Sequence, residues 1–548
     1  MSQLTSEQQL VASSKAKLLA VDAFAGTGKT STLVAYAEAR PRARILYIAF
    51  NKSVATEAKE RFPGNVECRT THSLAYATVG KKFSDKLGNA QPYAVAQALN
   101  CTPRRAKQVL ETLSAWLCSA DPEISVDHVN RDDVEREMEV GLLVELASRV
   151  WEEMQNTRSP LKMPHDGYLK LWAMSKPRLP FDIILLDEAQ DTNPLTLELV
   201  MAQKHATIVL VGDRHQGIYG FRKAMNAMEH VQAEERVALT RSFRFGQSIA
   251  DVATMVLSKF KDETRRIEGR ADIQVSWQVD MSKHHCVLSR TNAELFAAGA
   301  NFIRARRHGA AIHFIGGFDS YLFGKVLDAY YLWADERSRI KDPSISRFLS
   351  FSKFKEYGTE AGDAEVKALV RTVETYRTEV PDIYNALKAA ETPVQDRAAV
   401  TLATAHRAKG LEFDQVYMTD DFIELPPAPD DDLEEINLLY VGFTRAIRAV
   451  RLPASLSAWL EDQGLCVDDL GTTSAAQSTQ DASFSVEAPG AKSEANGSSD
   501  WLAGPGMKLS ADDWRELRLR DSHPSFGHAA SAEIEFLFRR LDEARARR

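Results

Sequence analysis

The chain has 548 residues, room for about three or four domains at the usual 100–200 residues each. A hydrophobic content of 44% and a charged content of 26% are ordinary for a soluble globular protein. With 68 Lys and Arg against 76 Asp and Glu, the net charge of −8 excludes a polycation, so any nucleic-acid site has to be a local basic groove.

Five scattered cysteines with no C-x-x-C pair support neither a disulfide framework nor a zinc site, and fit a reducing compartment. The first residues lack a basic region followed by an apolar core, and no run is apolar enough to span a bilayer. A cytoplasmic protein without a membrane partner is expected.

Residues 4–12 read as a helix capped by Thr5 or Ser6. An apolar strand from Leu18 then runs into a turn of small residues: Ala23, Phe24, Ala25, Gly26, Thr27, Gly28, Lys29, Thr30 and Ser31. This is the layout of a phosphate-binding loop, in which Gly26 and Gly28 let backbone N–H groups and the next helix's N-terminus face an anion. Lys29 is placed to reach terminal phosphates, and Thr30 to offer its hydroxyl to Mg²⁺. The strict pattern has Gly where Ala23 stands, a small-for-small change. A strand at residues 44–50 and a helix at 51–62 complete a β-α-β-α alternation, the signature of a parallel sheet.

Strand signals vanish between about Ser84 and Arg158, where helices are expected at 102–117 and 131–155. The pair 94–99 and 103–117 has the outline of a helix-turn-helix with Arg104, Arg105 and Lys107 on phosphates. An ordinary αα-hairpin with solvated charges is the better reading. Strands resume at 181–187, 207–213 and 237–240, followed by a second α/β set at 286–290, 312–315, 400–404 and 415–418. A further helical stretch fills 317–393. Residues 470–500, rich in Thr, Ser, Ala, Gly and Gln, read as a flexible linker, and the stretches 510–520 and 529–548 as charged helices.

Asp187 and Glu188 stand just past an apolar strand, at the sheet edge where open α/β folds bind ligands. Asp187 is suited to hold Mg²⁺ through water and Glu188 to deprotonate an attacking water. An acidic strand end without a metal would look the same in isolation; the phosphate loop upstream decides between them. Gln216 follows the next strand, where a side chain can sense a γ-phosphate, and Tyr219, Phe221 and Arg222 offer a stacking surface for bases.

Over roughly residues 4–450 the ordered set resembles the UvrD/Rep group of superfamily 1 DNA helicases. It comprises the phosphate loop, Asp187-Glu-Ala-Gln-Asp-Thr-Asn, Gly212-Asp-x-x-Gln-x-Ile-Tyr, Ala408-Lys-Gly-Leu-Glu-Phe and Tyr440-Val-Gly-Phe-Thr-Arg. Ala49-Phe-Asn-Lys-Ser-Val-Ala and Thr71-His-Ser-Leu-Ala-Tyr make the motor most similar to the F-box DNA helicase branch, although no F-box segment is evident. The resemblance implies an α/β fold of two tandem RecA-like P-loop NTPase domains with parallel sheets, each carrying a helical insertion. The first motor domain would occupy 1–83 and 161–240 around an insertion at 84–160. The second would occupy 241–316 and 395–464 around a small accessory insertion at 317–394, with a linker at 465–509 and a charged helical tail at 510–548.

The resemblance also implies residue roles. Gln8 would recognise adenine and Glu412 the nucleotide sugar, while Lys29, Asp187, Glu188, Gln216, Arg244 and Arg445 would perform hydrolysis. ATP and Mg²⁺ are the implied cofactors. A DNA track would run through Asn51, Lys52, Thr70, His72, Ser73, Tyr219, Phe221, Arg222, Arg290, His406 and Lys409. Phe221 stands where the family usually has Trp, and Arg214 and His215 replace acidic or small residues. The implied activity is ATP-dependent 3′-to-5′ movement on single-stranded DNA with duplex unwinding, in replication, repair or recombination. The alternative is a DNA-dependent ATPase that strips proteins from the strand. Partners would be single-stranded DNA and its junctions with duplex, plus a loading protein if the C-terminal tail docks one. A bacterial or phage origin is expected ahead of a nuclear one.

Overall fold

The computed structural model describes residues 4–465, apart from 132–133, 135–136, 221–225, 306–309, 361–362 and 430. Apart from Leu465, the expected linker and charged tail lie outside the described residues, as do Phe221 and Arg222.

The first sheet is built from β1 (Leu18–Ala23), β2 (Ile45–Ile48), β3 (Val66–Arg69), β4 (Ile183–Leu186), β5 (Thr207–Gly212) and β6 (Glu235–Leu239). Its spatial order is β3-β2-β4-β5-β1-β6, with every pairing parallel. β2 and β4 are apolar at every position and wholly buried, as strands covered on both faces must be. One face carries the helices Lys29–Glu38 and Lys52–Arg61. The other carries Pro103–Cys118 and Glu137–Gln155, whose apolar stripes include Val109, Leu113, Trp116, Leu143 and Val150. Arg105 on Pro103–Cys118 is paired with Glu139 on Glu137–Gln155 at 3.2 Å.

After a two-stranded pair, β7 (Arg241–Gly246) and β8 (Glu268–Arg270), comes the second sheet: β9 (His285–Ser289), β10 (Ile312–Phe314), β11 (Val400–Thr404), β12 (Phe413–Met418) and β13 (Ala446–Arg451). Its order is β10-β11-β9-β12-β13, again all parallel. Between β10 and β11 lie the helices Phe323–Trp333, Pro343–Ser346, Phe351–Glu360, Ala364–Tyr376 and Val380–Ala390. The fold is therefore α/β with two parallel sheets. Among the described residues no helix is long and apolar enough to cross a membrane.

The two halves are joined behind the phosphate loop. Phe24 is 2% exposed and packs in a core otherwise drawn almost entirely from residues 245–460. Its ring stacks on His215 at 6.0 Å, and the Arg265 guanidinium lies 5.3 Å from its centre. Beneath this stack Glu263, from the second half, accepts from His215 Nε2 at 2.9 Å, Arg214 at 2.8 Å and Arg265 at 2.9 Å. Arg265 also reaches Asp22 on β1 at 3.2 Å. Burial alone would push the Glu263 carboxyl up, but the His215 and Arg265 hydrogen bonds hold it far below the usual carboxylate range. A carboxyl so lowered contributes stability that is present above its unfolded value of about 4.3 and is lost as pH falls below it. Glu263→Gln is thus expected to destabilise the chain by roughly 2 kcal/mol at neutral pH, because it removes a buried carboxylate acceptor from the partly exposed Arg214 and Arg265. Urea midpoints should show that gap closing as pH falls below about 4; a gap independent of pH would count against the carboxylate's role.

Candidate active site

A cleft of about 660 Å³ opens where the C-terminal ends of β1, β4 and β5 meet residues of the second half. Ligands in open parallel sheets bind at such ends. It is lined by Gly26–Ser31, Asp187, Glu188 and Gln216 from the first half, and by Arg244, Gly410–Glu412 and Arg445 from across the cleft.

The loop's shape follows from its glycines. Gly26 and Gly28 have φ of +73° and +77°, and a Cβ on Gly26 would lie 2.6 Å from Ser242 Oγ. With Gly28 as its cap, the helix Lys29–Glu38 presents its N-terminus to the cleft. Gln8 is held by the capping box of the first helix, and its Nε2 donates to the Thr27 carbonyl at 3.3 Å. Ala23, Phe24 and Ala25 face packing rather than the cleft, and the Ala25 N–H donates to Tyr440 Oη at 3.0 Å.

Charge is concentrated here. Lys29 Nζ lies 3.3 Å from Glu188 Oε1. Burial lowers the Lys29 pKa, but Glu188, Asp213 and Asp187 together outweigh it and raise it. Burial works against ionised Glu188, yet Lys29 and Lys409 bring its carboxyl down to about 2. Asp187 goes the other way, pushed up to about 6 by burial and by the Glu188 charge. Its two oxygens accept from Tyr47 Oη at 2.6 Å and from the Glu188 N–H at 2.9 Å. The two carboxyls are thus shifted in opposite directions, Glu188 toward its ionised form and Asp187 away from it. Glu188 adopts φ +51°, a strained conformation that commonly marks functional positions.

From the opposite wall, Arg445 is 1% exposed and donates to the carbonyls of Val441 and Leu411 at 2.9 and 3.3 Å. It also reaches Gln216 Oε1 at 3.3 Å. Burial and the neighbouring Arg244 cation push its pKa down to about 9. Arg244 bonds Glu412 at 2.9 Å and the Thr444 carbonyl at 3.1 Å. Two cations thus lie side by side on this wall, a setting that favours an anion.

The residues present fit a divalent cation of the hard kind. Thr30 and Asp187 supply oxygen donors, and a cation would offset the adjacent carboxylates of Asp187 and Glu188. Among the described residues no cluster of three or more His, Cys, Asp or Glu is placed to cage a metal, so water and phosphate oxygens would complete the shell.

The expected DNA residues fall in several places. Tyr219 gathers with His406 and Lys409, its hydroxyl donating to the His406 carbonyl at 3.2 Å. Asn51 caps the helix Lys52–Arg61, and Thr70 and Ser73 form a capping box on Thr71–Thr78. His72 bonds Asp166 at 3.0 Å. Arg290 makes a two-pronged bond to Glu435 at 2.7 Å. The Lys409 ammonium is buried on Asp191. Several site residues were not foreseen. Phe50 stacks on Tyr219 at 5.3 Å, and Tyr440 Oη joins the loop to Asp213 at 3.1 Å. The Gln190 amide donates to both Glu188 and Asp191. An aromatic directly before a helix-capping Asn was the available signal for Phe50; Tyr440 lay within a quoted motif with no role attached.

Comparison with known proteins identifies the family. The UvrD/REP helicase N-terminal domain matches residues 4–234, and the UvrD-like helicase C-terminal domain matches residues 336–452. F-box DNA helicase 1 of Gallus gallus is 34% identical over 499 residues, covering 83% of this chain and 49% of the relative. F-box DNA helicase protein 1 of Schizosaccharomyces pombe is 31% identical over 508 residues, covering 81% and 56%. ATP-dependent DNA helicase PcrA of Leuconostoc citreum is 24% identical over 414 residues, covering 51% and 55%. The chain thus spans about half the length of these relatives. The two that align over most of it are eukaryotic and lend no support to a bacterial or phage origin. With both halves matched in order and the cleft formed between them, the chain belongs to the UvrD-like helicase family.

Proposed function

We propose that this chain is an ATP-driven DNA translocase and helicase, hydrolysing ATP in the cleft between its halves while moving 3′-to-5′ along single-stranded DNA. The observation that carries the reading is the meeting of Lys29 and Glu188 with Arg445 at Gln216, cation and base from one half against cation from the other. The phosphates would draw Lys29 away from Glu188 and lie between Lys29 and the arginines, with Glu412 on the sugar and Gln8 near adenine. A Mg²⁺ ion held by Thr30 and Asp187 would supply charge neutralisation on the β- and γ-oxygens. Glu188 takes a proton from water as its oxygen bonds to the γ-phosphorus; the bond to the bridging oxygen breaks, leaving ADP and phosphate. Arg244 and Arg445 stabilise charge on the transferring group only when the cleft is closed. On this reading residues 84–160 and 317–394 are insertions in the two motor domains. Asn51, Lys52, Thr70, His72, Ser73, Tyr219, Phe221, Arg222, Arg290 and His406 are proposed to face the strand.

ATP hydrolysis should rise with added single-stranded DNA, and a 3′-tailed duplex should be opened while a 5′-tailed one is not. Stimulated hydrolysis with no displaced strand would instead assign the motor to translocation and protein stripping. Lys29→Ala is expected to stop movement, with hydrolysis down by roughly 10²-fold or more, while DNA binding by fluorescence anisotropy stays within a few-fold. Retained unwinding would remove Lys29 from its role.

A further inference from the structure

Lys409 belongs by position to the expected DNA track, yet its charge is turned inward. Its side chain is 8% exposed and that of Asp191 1%. The ammonium donates to Asp191 Oδ2 and to the Gln216 carbonyl, both in the first half, while Lys409 itself follows the helix Ala405–Ala408 in the second. It also lies 5.1 Å from the centre of the Tyr219 ring.

Connections run from this point in two directions. Toward the cleft, Gln190 Nε2 donates to Glu188 Oε2 at 2.5 Å and to Asp191 Oδ2 at 3.3 Å, while its Oε1 accepts from the Asp213 N–H at 3.0 Å. One amide thus serves both carboxylates. Toward the aromatic face, Tyr219 stacks on Phe50, which is 41% exposed. The other Asp191 oxygen, Oδ1, is buried with no hydrogen-bond partner among the described residues. Asp191 therefore depends on Lys409 and Gln190 for its compensation.

We propose that Lys409 is a positioning residue for hydrolysis, transmitting the state of the Phe50–Tyr219 face to Glu188 and Gln216 through Asp191 and Gln190, and that it binds no DNA phosphate. The inference rests on the ATPase reading above. A buried ion pair across an interface holds only while the two halves are seated, because separating it strands a charge in a poorly solvated place. When a base displaces Tyr219, Nζ shifts with the ring it lies against. An Asp191 left without its cation competes for the Gln190 amide, and Glu188 loses the donor that fixes its carboxylate. Seating Lys409 restores Gln190 to Glu188 and anchors the Gln216 backbone.

The test compares Lys409→Met, Lys409→Arg and the double variant Asp191→Asn/Lys409→Met with the wild type. ATP turnover is measured with and without saturating oligo-dT, and oligo-dT affinity across a salt series. Lys409→Met should lower kcat at saturating DNA by roughly 10- to 100-fold, the usual effect of losing an orienting partner. Affinity for oligo-dT and its salt dependence should not move. Lys409→Arg should recover part of the loss, and the double variant should turn over no slower than Lys409→Met, since no lone carboxylate remains. Lys409→Met with normal kcat, weaker binding and a salt slope shallower by about 0.7 would make Lys409 a phosphate ligand and overturn the proposal. Equal loss of turnover, affinity and thermal midpoint in all three variants would overturn it as a merely structural contact. A wild type without DNA-stimulated hydrolysis would overturn the ATPase reading and this inference together.

Discussion

Glu188→Gln is expected to hold ATP without hydrolysing it. The substitution keeps the side chain's shape and its approach to Gln190 but removes the acceptor for water's proton, and general-base catalysis is worth on the order of 10³-fold. Lys29 now spends its charge on Glu188 at 3.3 Å. With that partner neutral, Lys29 is released for phosphate, so nucleotide affinity should be unchanged or tighter. Single-turnover hydrolysis and binding of a fluorescent ATP analogue separate the two effects. Turnover within tenfold of wild type would remove Glu188 from the role of base.

Arg445→Ala should cost about 10³-fold in kcat, the lower end of what a cation delivered to a transferring phosphoryl group is worth. Burial and Arg244 push the Arg445 pKa down to about 9, so a bound anion would favour its charged form. Its guanidinium is fixed by carbonyls of Val441 and Leu411 and by Gln216 Oε1. Lysine cannot reproduce that planar fork, and Arg445→Lys should recover little. ATP affinity and oligo-dT affinity should each stay within a few-fold, with the thermal midpoint as the check on folding. A variant that weakens ATP binding at unchanged kcat would make Arg445 a contributor to ground-state binding only.

The central strands were legible because a parallel strand buried on both faces has no room for polar residues: Ile183–Leu186 and Thr207–Gly212 declare themselves. The edges did not. Val66–Arg69 is half exposed and carries Glu67 and Arg69, and Ala446–Arg451 is broken by Arg448 and Arg451, so neither has the run of apolar residues that marks a strand. The phosphate loop and the Asp187–Glu188 pair were legible because local spacing sets their chemistry. Tyr440 was not, because its partner Ala25 lies 415 residues away. Spacing placed Lys409 beside His406 but carries no information on which way a side chain turns, so its bond to Asp191 was not legible.

The packing of Phe24 gives the molecule a fulcrum. The phosphate loop is fastened to the far half by the Phe24 ring, by the bond from the Phe243 N–H to the Gly26 carbonyl at 2.8 Å, and by Tyr440 on Ala25. Any rotation of one half against the other would therefore turn about the loop, with displacement growing with distance from it. A slight rotation at the cleft would become a longer stroke at the aromatic face, as at the end of a lever. The pin is the Glu263–Arg265–Asp22 junction behind Phe24. With that pin cut in Glu263→Gln, hydrolysis should persist while more ATP is consumed per nucleotide travelled.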